Sequence, residues 1–346
     1  MPQIHNFSLS SLSLSHTLEM EGIEHKKLSI NGVTMHVAEV GQGPIILFLH
    51  GFPECWYTWR HQMAFFASRG FRAVAPDLRG FADTTGAPTN DRSKFTTLHV
   101  VGDVVSLIDA VAAPPHEKVF VVGHDWGAVV AWAVCLYRPD KVKALVNMSV
   151  VFSRRNPKMK PVEMLRGVYG DDYYVCRFQE PGRIEEEFAQ IGTKTVLKHF
   201  LTYRNPGPLY LPKEKPFSDA QISLPSWLSE EDVDYYASKY EVTGFTGALN
   251  YYRALDINWE LTAAWSGAQI NVSVKFIVGD LDLTYNAPGT KDYIHKGGFK
   301  RDVPLLKEVI VMEGVAHFIH QEKPAEVNAH ILSFFNIFSS SLCSAL

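Results

Sequence analysis

The chain reads as an α/β protein, a mostly parallel central sheet flanked by helices, with a mainly helical cap inserted into it. Three observations predict this. Short, continuous apolar runs recur along the chain, helical periodicities lie between them, and the alternation stops between about residues 152 and 255. Strands covered on both faces lose the polar–apolar alternation of a half-exposed strand, so unbroken apolar runs suit a parallel sheet.

The elements follow in order. Lys27 to Ile30 and Val33 to Val40 flank Asn31-Gly32, a dipeptide suited to a two-residue hairpin turn. Ile45 to Leu49 is the first continuous run. Leu98, Val101, Val104, Val105, Ile108 and Val111 then recur at helical spacing. Val119 to Val122 is the next run, and Ala128, Ala131, Trp132 and Cys135 mark a second helix. Ala144 to Val146, Phe276 to Val278 and Val309 to Val311 complete the set of strands buried on both faces. Pro324 opens a last helix at its first turn, running toward Phe334 and Phe335. Such alternation is joined by right-handed crossovers.

The interrupting region is rich in aromatics and helix formers, among them Tyr173, Tyr174, Trp227, Tyr251 and Tyr252, with a break at Asn205-Pro206-Gly207-Pro208. We expect a core of residues 20–151 and 256–346, a cap of residues 152–255, and a disordered tail of residues 1–19. The tail alternates Ser and Leu and has no Lys or Arg before Lys26, so it lacks both the positive start and the apolar core of a secretory signal. An upstream start ahead of Met20 is an equivalent reading. An organelle address fits the Ser-rich composition but not the missing Arg, which leaves the cytoplasm as the expected location.

A net charge of −4, with no basic run or stripe, argues against a nucleic-acid partner. No apolar stretch is long enough for a membrane span. Cys55, Cys135, Cys176 and Cys343 are scattered, which suggests neither a zinc site nor a disulfide framework.

One frame carries the chemistry: Gly123-His124-Asp125-Trp126-Gly127. G-x-S-x-G is the strand-to-helix nucleophile elbow of α/β-hydrolases, and here Asp125 stands in place of Ser. A serine oxygen attacking saturated carbon would leave an ether that water does not cleave. A carboxylate leaves an ester, which water does cleave. Asp125 therefore points to an epoxide or an alkyl halide and away from ordinary esters and peptides. An Asp before an apolar helix is also a common N-cap, but the glycine frame favours the elbow.

Three further motifs stand in the order this fold requires. His50-Gly51-Phe52-Pro53 follows the run ending at Leu49, Asp282 follows Phe276 to Asp280, and His317 follows Val309 to Met312. Nucleophile, acid and histidine come in hydrolase order, each at the end of an expected strand. Asp280 competes with Asp282, and His320 with His317. Gly314 and Ala316 leave room around His317 in its loop. His50 and His124 read as structural donors, and Arg79 as structural.

From Met20 onward the chain resembles the plant soluble epoxide hydrolases. Core stretches that carry the resemblance are His50-Gly51-Phe52-Pro53-Glu54, Ala75-Pro76-Asp77-Leu78-Arg79-Gly80, the Asp125 elbow and Gly314-Val315-Ala316-His317-Phe318. Ser153-Arg154-Arg155-Asn156-Pro157 and Gly244 to Arg253 extend it into the cap. The resemblance implies the α/β-hydrolase fold and a two-step mechanism on a small-molecule epoxide with water as co-substrate. Asp125 forms an alkyl-enzyme ester, and Tyr174 and Tyr252 protonate the epoxide oxygen. His317, oriented by Asp282, activates water, and backbone N–H groups of Phe52 and Trp126 hold the oxyanion. No metal or organic cofactor is implied, and the chain is expected to be a monomer or weak homodimer.

The residues alone leave each tyrosine paired with a neighbour. Tyr173 adjoins Tyr174 and Tyr251 adjoins Tyr252, and adjacent helical residues point in different directions. Only the resemblance selects Tyr174 and Tyr252. A haloalkane dehalogenase would also use an Asp nucleophile, but it stabilises a halide and needs no paired tyrosines. A hydrolase-fold receptor is disfavoured by the intact Asp125, Asp282 and His317 set. One departure stands out: Phe81-Ala82-Asp83-Thr84 occupies the place of a Tyr-Gly-x-Ser-type segment, with a modest local effect expected.

Overall fold

The computed structural model describes residues 22–112, 117–213, 215–218 and 221–339. The expected tail, residues 1–19, and Cys343 lie outside these residues. Among the described residues, Cys55, Cys135 and Cys176 are free and buried. No helix among them is long and apolar enough to cross a membrane.

The first half of the core runs β1 (Glu24–Ile30), β2 (Val33–Val40), β3 (Ile45–Leu49), α1 (Arg60–Ala67), β4 (Arg72–Pro76), α2 (Thr97–Val111), β5 (Val119–His124), α3 (Trp126–Tyr137) and β6 (Val142–Met148). Among the described residues, seven α-helices follow before the sheet resumes: α4 (Pro161–Tyr169), α5 (Tyr174–Arg177), α6 (Arg183–Ile191), α7 (Thr193–Leu201), α8 (Glu230–Thr243), α9 (Thr246–Arg253) and α10 (Leu255–Leu261). The chain closes with β7 (Val274–Gly279), α11 (Thr290–His295), α12 (Gly298–Asp302), β8 (Leu306–Met312), α13 (Ile319–Glu322) and α14 (Pro324–Ser339).

The eight strands form one sheet in the order β1-β2-β4-β3-β5-β6-β7-β8. Only the pairs β1–β2 and β2–β4 are antiparallel. From β3 the chain steps outward to β4, then returns past β3 to β5 and onward to β8. The strand order therefore reverses between β3 and β5, and open α/β sheets bind ligands in the crevice at such a reversal.

Most expected elements form where the sequence places them. Asn31 and Gly32 turn the hairpin with φ of 44° and 82°. The central runs β3, β5 and β7 are buried throughout. Three details differ. Val309 to Val311 were expected to be buried on both faces, yet Val311 is 36% exposed. The reason is that β8 is the sheet's edge and pairs with β7 alone. Strand β4 carried no continuous apolar signal, because it opens on Arg72, closes on Pro76 and has alanine at two of the three positions between them. It is nevertheless internal, with Arg72 reaching out to the Val111 carbonyl at 2.8 Å and to Glu39 at 2.7 Å. In α2 the buried face takes Val100 and Leu107 beside Val101, Val104, Ile108 and Val111, while Leu98 faces out.

Helix α8 carries the interrupting segment onto the core. Ser229 and Asp232 form a capping box at its start. Asp232 also accepts from Tyr57 at 2.9 Å and pairs with Arg60 at 2.9 Å, both buried core residues. One turn on, Tyr235 accepts from the Trp56 indole at 2.9 Å.

Candidate active site

Asp125 sits between β5 and α3 with φ 52° and ψ −121°. This is the left-handed side of backbone space, which costs an ordinary residue about 1–2 kcal/mol. The tight turn holds its carboxylate at the top of the sheet. Gly127 permits it, since a Cβ there would lie 1.9 Å from the Leu49 carbonyl oxygen. Gly51 permits the next contact, because a Cβ at that position would meet the Asp125 side chain at 2.3 Å. The Phe52 N–H thus reaches Oδ1 of Asp125 at 2.7 Å. Trp126 occupies the first turn of α3, where backbone N–H groups lack helical partners.

His317 follows β8, and its Nε2 lies 3.3 Å from Oδ2 of Asp125. Its Nδ1 lies 3.1 Å from both oxygens of Asp282, which follows β7. Asp282 is fully buried and accepts from the Thr284 backbone N–H at 2.8 Å and the Thr284 hydroxyl at 2.9 Å. Burial alone would raise its pKa, but the His317 charge and these donors outweigh it and bring it to about 2. Burial likewise opposes the charged form of His317. The carboxylates of Asp282 and Asp125 prevail and hold its pKa well above the usual histidine value.

Tyr174 and Tyr252 line one small cavity with Asp125 and His317, of about 40 Å³, whose wall also includes Phe52, Phe200 and Leu283. Their rings lie 5.8 Å apart and nearly perpendicular. Burial first, then neighbouring phenols and Asp125, push both phenol pKa values well above the ordinary tyrosine value. Both therefore carry their protons at neutral pH.

The rivals are placed elsewhere. Tyr173 packs on Tyr169 and Tyr210. Tyr251 gives its hydroxyl to the Arg79 carbonyl at 3.0 Å. Asp280 makes no hydrogen bond or ion pair with the His317 ring, whose partners are Asp125 and Asp282, and among the described residues its buried Oδ1 has no hydrogen-bond partner. His320 lies behind the site against Thr58 and Glu54, and burial brings its pKa down to about 4. His50 is locked between the Gly51 carbonyl and the Leu78 N–H at 3.0 Å each. Arg79 grips both oxygens of Asp103 at 2.6 and 2.7 Å.

Glu54 received no chemical role from the sequence. It is fully buried and bonds His124 Nδ1 at 3.1 Å, while His124 Nε2 donates to the His317 carbonyl at 2.8 Å. It also accepts from Thr58 and Gln321, so the backbone of His317 rests on a buried polar network. An acid directly after His-Gly-Phe-Pro was its only sequence signal. Ligand atoms of Glu54, His124 and His320 lie within 4.8 Å of one another, as do those of His36, Asp77 and Asp83. Both sets are already hydrogen bonded internally. In the departing loop Ala82 takes φ 42°, and Phe81 packs on His50 and Tyr251.

Residues 44–324 match the family described as the alpha/beta hydrolase fold. Epoxide hydrolase 2 of Siraitia grosvenorii is 57% identical over 321 residues, covering 92% of this chain and all of that protein. Epoxide hydrolase A of Mycobacterium tuberculosis is 34% identical over 319 residues, covering 88% of this chain and 94% of its own. Among solved structures, potato (Solanum tuberosum) epoxide hydrolase I superposes with a TM-score of 0.88 at 65% identity, covering 91% of this chain and 99% of that one. An epoxide hydrolase from Vigna radiata gives 0.87 at 56% identity, covering 92% and 99%. The eight-stranded sheet, its elbow and these relatives together establish that the chain belongs to the epoxide hydrolases of the α/β-hydrolase fold family.

Proposed function

We propose that this chain hydrolyses a lipophilic epoxide to a vicinal diol through a covalent ester on Asp125. The observation that carries the reading is one cavity shared by a carboxylate at the elbow, two protonated phenols and a histidine. Oδ1 of Asp125 is held by the Phe52 N–H, so Oδ2 attacks a ring carbon. The ring C–O bond breaks as the new C–O bond forms. The leaving oxygen becomes an alkoxide, which is too basic to leave unprotonated. Tyr174 and Tyr252 hydrogen bond it, and one of them gives up its proton. A halide would need no such donor.

In the second step His317 takes a proton from water, and the hydroxide adds to the ester carbonyl of Asp125. Asp282 orients the imidazole and stabilises its charge. The tetrahedral oxyanion forms at the Phe52 N–H, joined by that of Trp126. Its collapse expels the diol oxygen, which takes the proton from His317, and the Asp125 carboxyl left behind returns its proton to the tyrosinate of the first step. We take residues 152–255 as the cap that supplies both tyrosines, on a monomer or weak homodimer working in the cytoplasm.

A single turnover in heavy-oxygen water tests the covalent step. The first diol should carry unlabelled oxygen from Asp125, with label appearing in the Asp125 carboxylate. Solvent label in that first diol would rule out the ester.

A further inference from the structure

The break at Asn205-Pro206-Gly207-Pro208 lies just after α7 and is stitched into a turn. Tyr203 donates its hydroxyl to the Gly207 carbonyl at 3.1 Å and the Pro208 carbonyl at 3.2 Å. The Gly207 N–H donates to the Asn205 side chain at 2.9 Å. Tyr203 and Leu209, at the two ends of this turn, line the reaction cavity with Asp125. The Leu209 carbonyl also accepts from the Tyr174 N–H at 3.1 Å. One turn of the interrupting segment is thus built against the site, and Arg204 lies within it.

Arg204 reaches the loop that carries His317. One end of its fork pairs with Glu322 on α13, and the other donates to the Gly314 carbonyl at 2.7 Å. The second oxygen of Glu322 accepts from the N–H of Ala316, the residue before His317, at 3.0 Å. From the core, the His317 carbonyl accepts from His124 at 2.8 Å and from the Ser149 hydroxyl at 3.2 Å. The loop is therefore held on one side by the core and on the other by Arg204 through Glu322. An exposed ion pair contributes little to stability. The Glu322 side chain, however, is only 8% exposed. A carboxylate gripped by both a guanidinium and a backbone N–H has a fixed direction.

We propose that Arg204 and Glu322 act as one positioning pair, which sets the His317 loop for ester hydrolysis and leaves ester formation alone. The inference rests on the two-step reading above and adds two residues to its second step. Neither touches the reacting atoms, and both act through the backbone of Gly314 and Ala316. His317 works between Asp282 and the ester on Asp125, where a shift of about 1 Å costs about 100-fold in rate. The nucleophile is placed by its own elbow and by the Phe52 N–H, so the first step does not depend on this grip.

Rapid quench of the intact chain with styrene oxide, read by protein mass, follows the formation and the decay of the ester separately. In Arg204→Met and in Glu322→Ala the ester should form within about 2-fold of the wild-type rate and decay about 10-fold more slowly. Arg204→Lys keeps one of the two contacts and should recover part of the decay rate. Combining Arg204→Met with Glu322→Ala should slow decay no further than Glu322→Ala alone, because the two residues act as a unit. Loss of folded protein lowers the amount of ester formed but not the rate constant of its decay, so the readout separates position from folding. His317→Gln runs alongside and should trap the ester. If it does, wild-type decay in both single variants would overturn the pair and keep the covalent mechanism. Formation slowed as much as decay, or additive effects in the double variant, would overturn the pair as well. No ester from styrene oxide in any of these proteins, His317→Gln included, would reject the covalent mechanism and the pair with it.

Discussion

Oδ2 of Asp125 and Nε2 of His317 lie 3.3 Å apart, so the proposed mechanism pairs the base of its second step with the nucleophile of its first. That carboxylate, with Asp282, keeps His317 charged in the free chain against the effect of burial. Esterification removes the charge of Asp125. Burial and Asp282 then act alone, and the pKa of His317 falls in the intermediate, where a neutral base is needed. Ester hydrolysis should therefore rise with pH through a lower midpoint than the titration of His317 in the free enzyme. Stopped-flow single turnovers and imidazole NMR give the two midpoints, and coincidence of the two would discard this coupling.

Replacing His317 with Gln removes the proposed base but leaves Asp125 and both tyrosines in place. The ester should form and persist, adding the mass of the epoxide to the protein. Intact-protein mass spectrometry after mixing with substrate reads this directly. Multiple turnovers at near wild-type rate would remove His317 from its role.

Phe at both Tyr174 and Tyr252 should reduce ester formation at least about 100-fold, the usual scale of general acid catalysis. Either single variant should retain part of the rate, because the remaining phenol still donates. Substrate depletion under single-turnover conditions measures it. A double variant that opens epoxides normally would mean that other donors protonate the alkoxide.

Asp282 also links the site to acid stability. Its folded pKa of about 2 lies below the unfolded value. Its stabilisation is thus present above about pH 4 and is lost as pH falls through about 2. His317 has the opposite sign: with its folded pKa raised, its share is complete below about pH 6.5 and is lost as pH rises through the folded value. Asp282→Asn should cost about 2 kcal/mol at neutral pH and flatten the acid limb of the stability curve. Urea melts at several pH values measure this, and an unchanged acid limb would assign the acid sensitivity to other carboxylates.

Ala82 holds φ 42° in the loop where relatives of this kind are expected to carry glycine. A left-handed alanine is strained by about 1 kcal/mol, and glycine adopts that backbone freely. Ala82→Gly should therefore stabilise the chain by up to about 1 kcal/mol, read as a rise in the urea midpoint. A destabilised variant would show that the alanine methyl, which is nearly buried, contributes more by packing than the strain costs.

Much of this molecule was legible because its signals are local. Continuous apolar runs identified β3, β5 and β7, for strands covered on both faces must be apolar at every position. The glycine frame around Asp125 marked a turn that only close backbone approach can build. Strand β4 went unread because its hydrophobicity is modest and its place between β2 and β3 is a matter of pairing. The exposure of β8 went unread for a related reason, since edge position is a property of the whole sheet.

The site divides in the same way. Asp125 in place of a serine pointed to the proposed bond type, displacement at saturated carbon through a hydrolysable ester, because that expectation follows from the chemistry of one side chain. The order of Asp125, Asp282 and His317 likewise followed from the chain alone. The tertiary structure decided which neighbour of each pair lines the cavity with Asp125. Tyr174 and Tyr252 line the cavity, whereas Tyr251 turns its hydroxyl to Arg79. It also placed Glu54 beneath His317. Direction and burial arise from the packing of distant segments, and adjacent letters in a sequence do not record them.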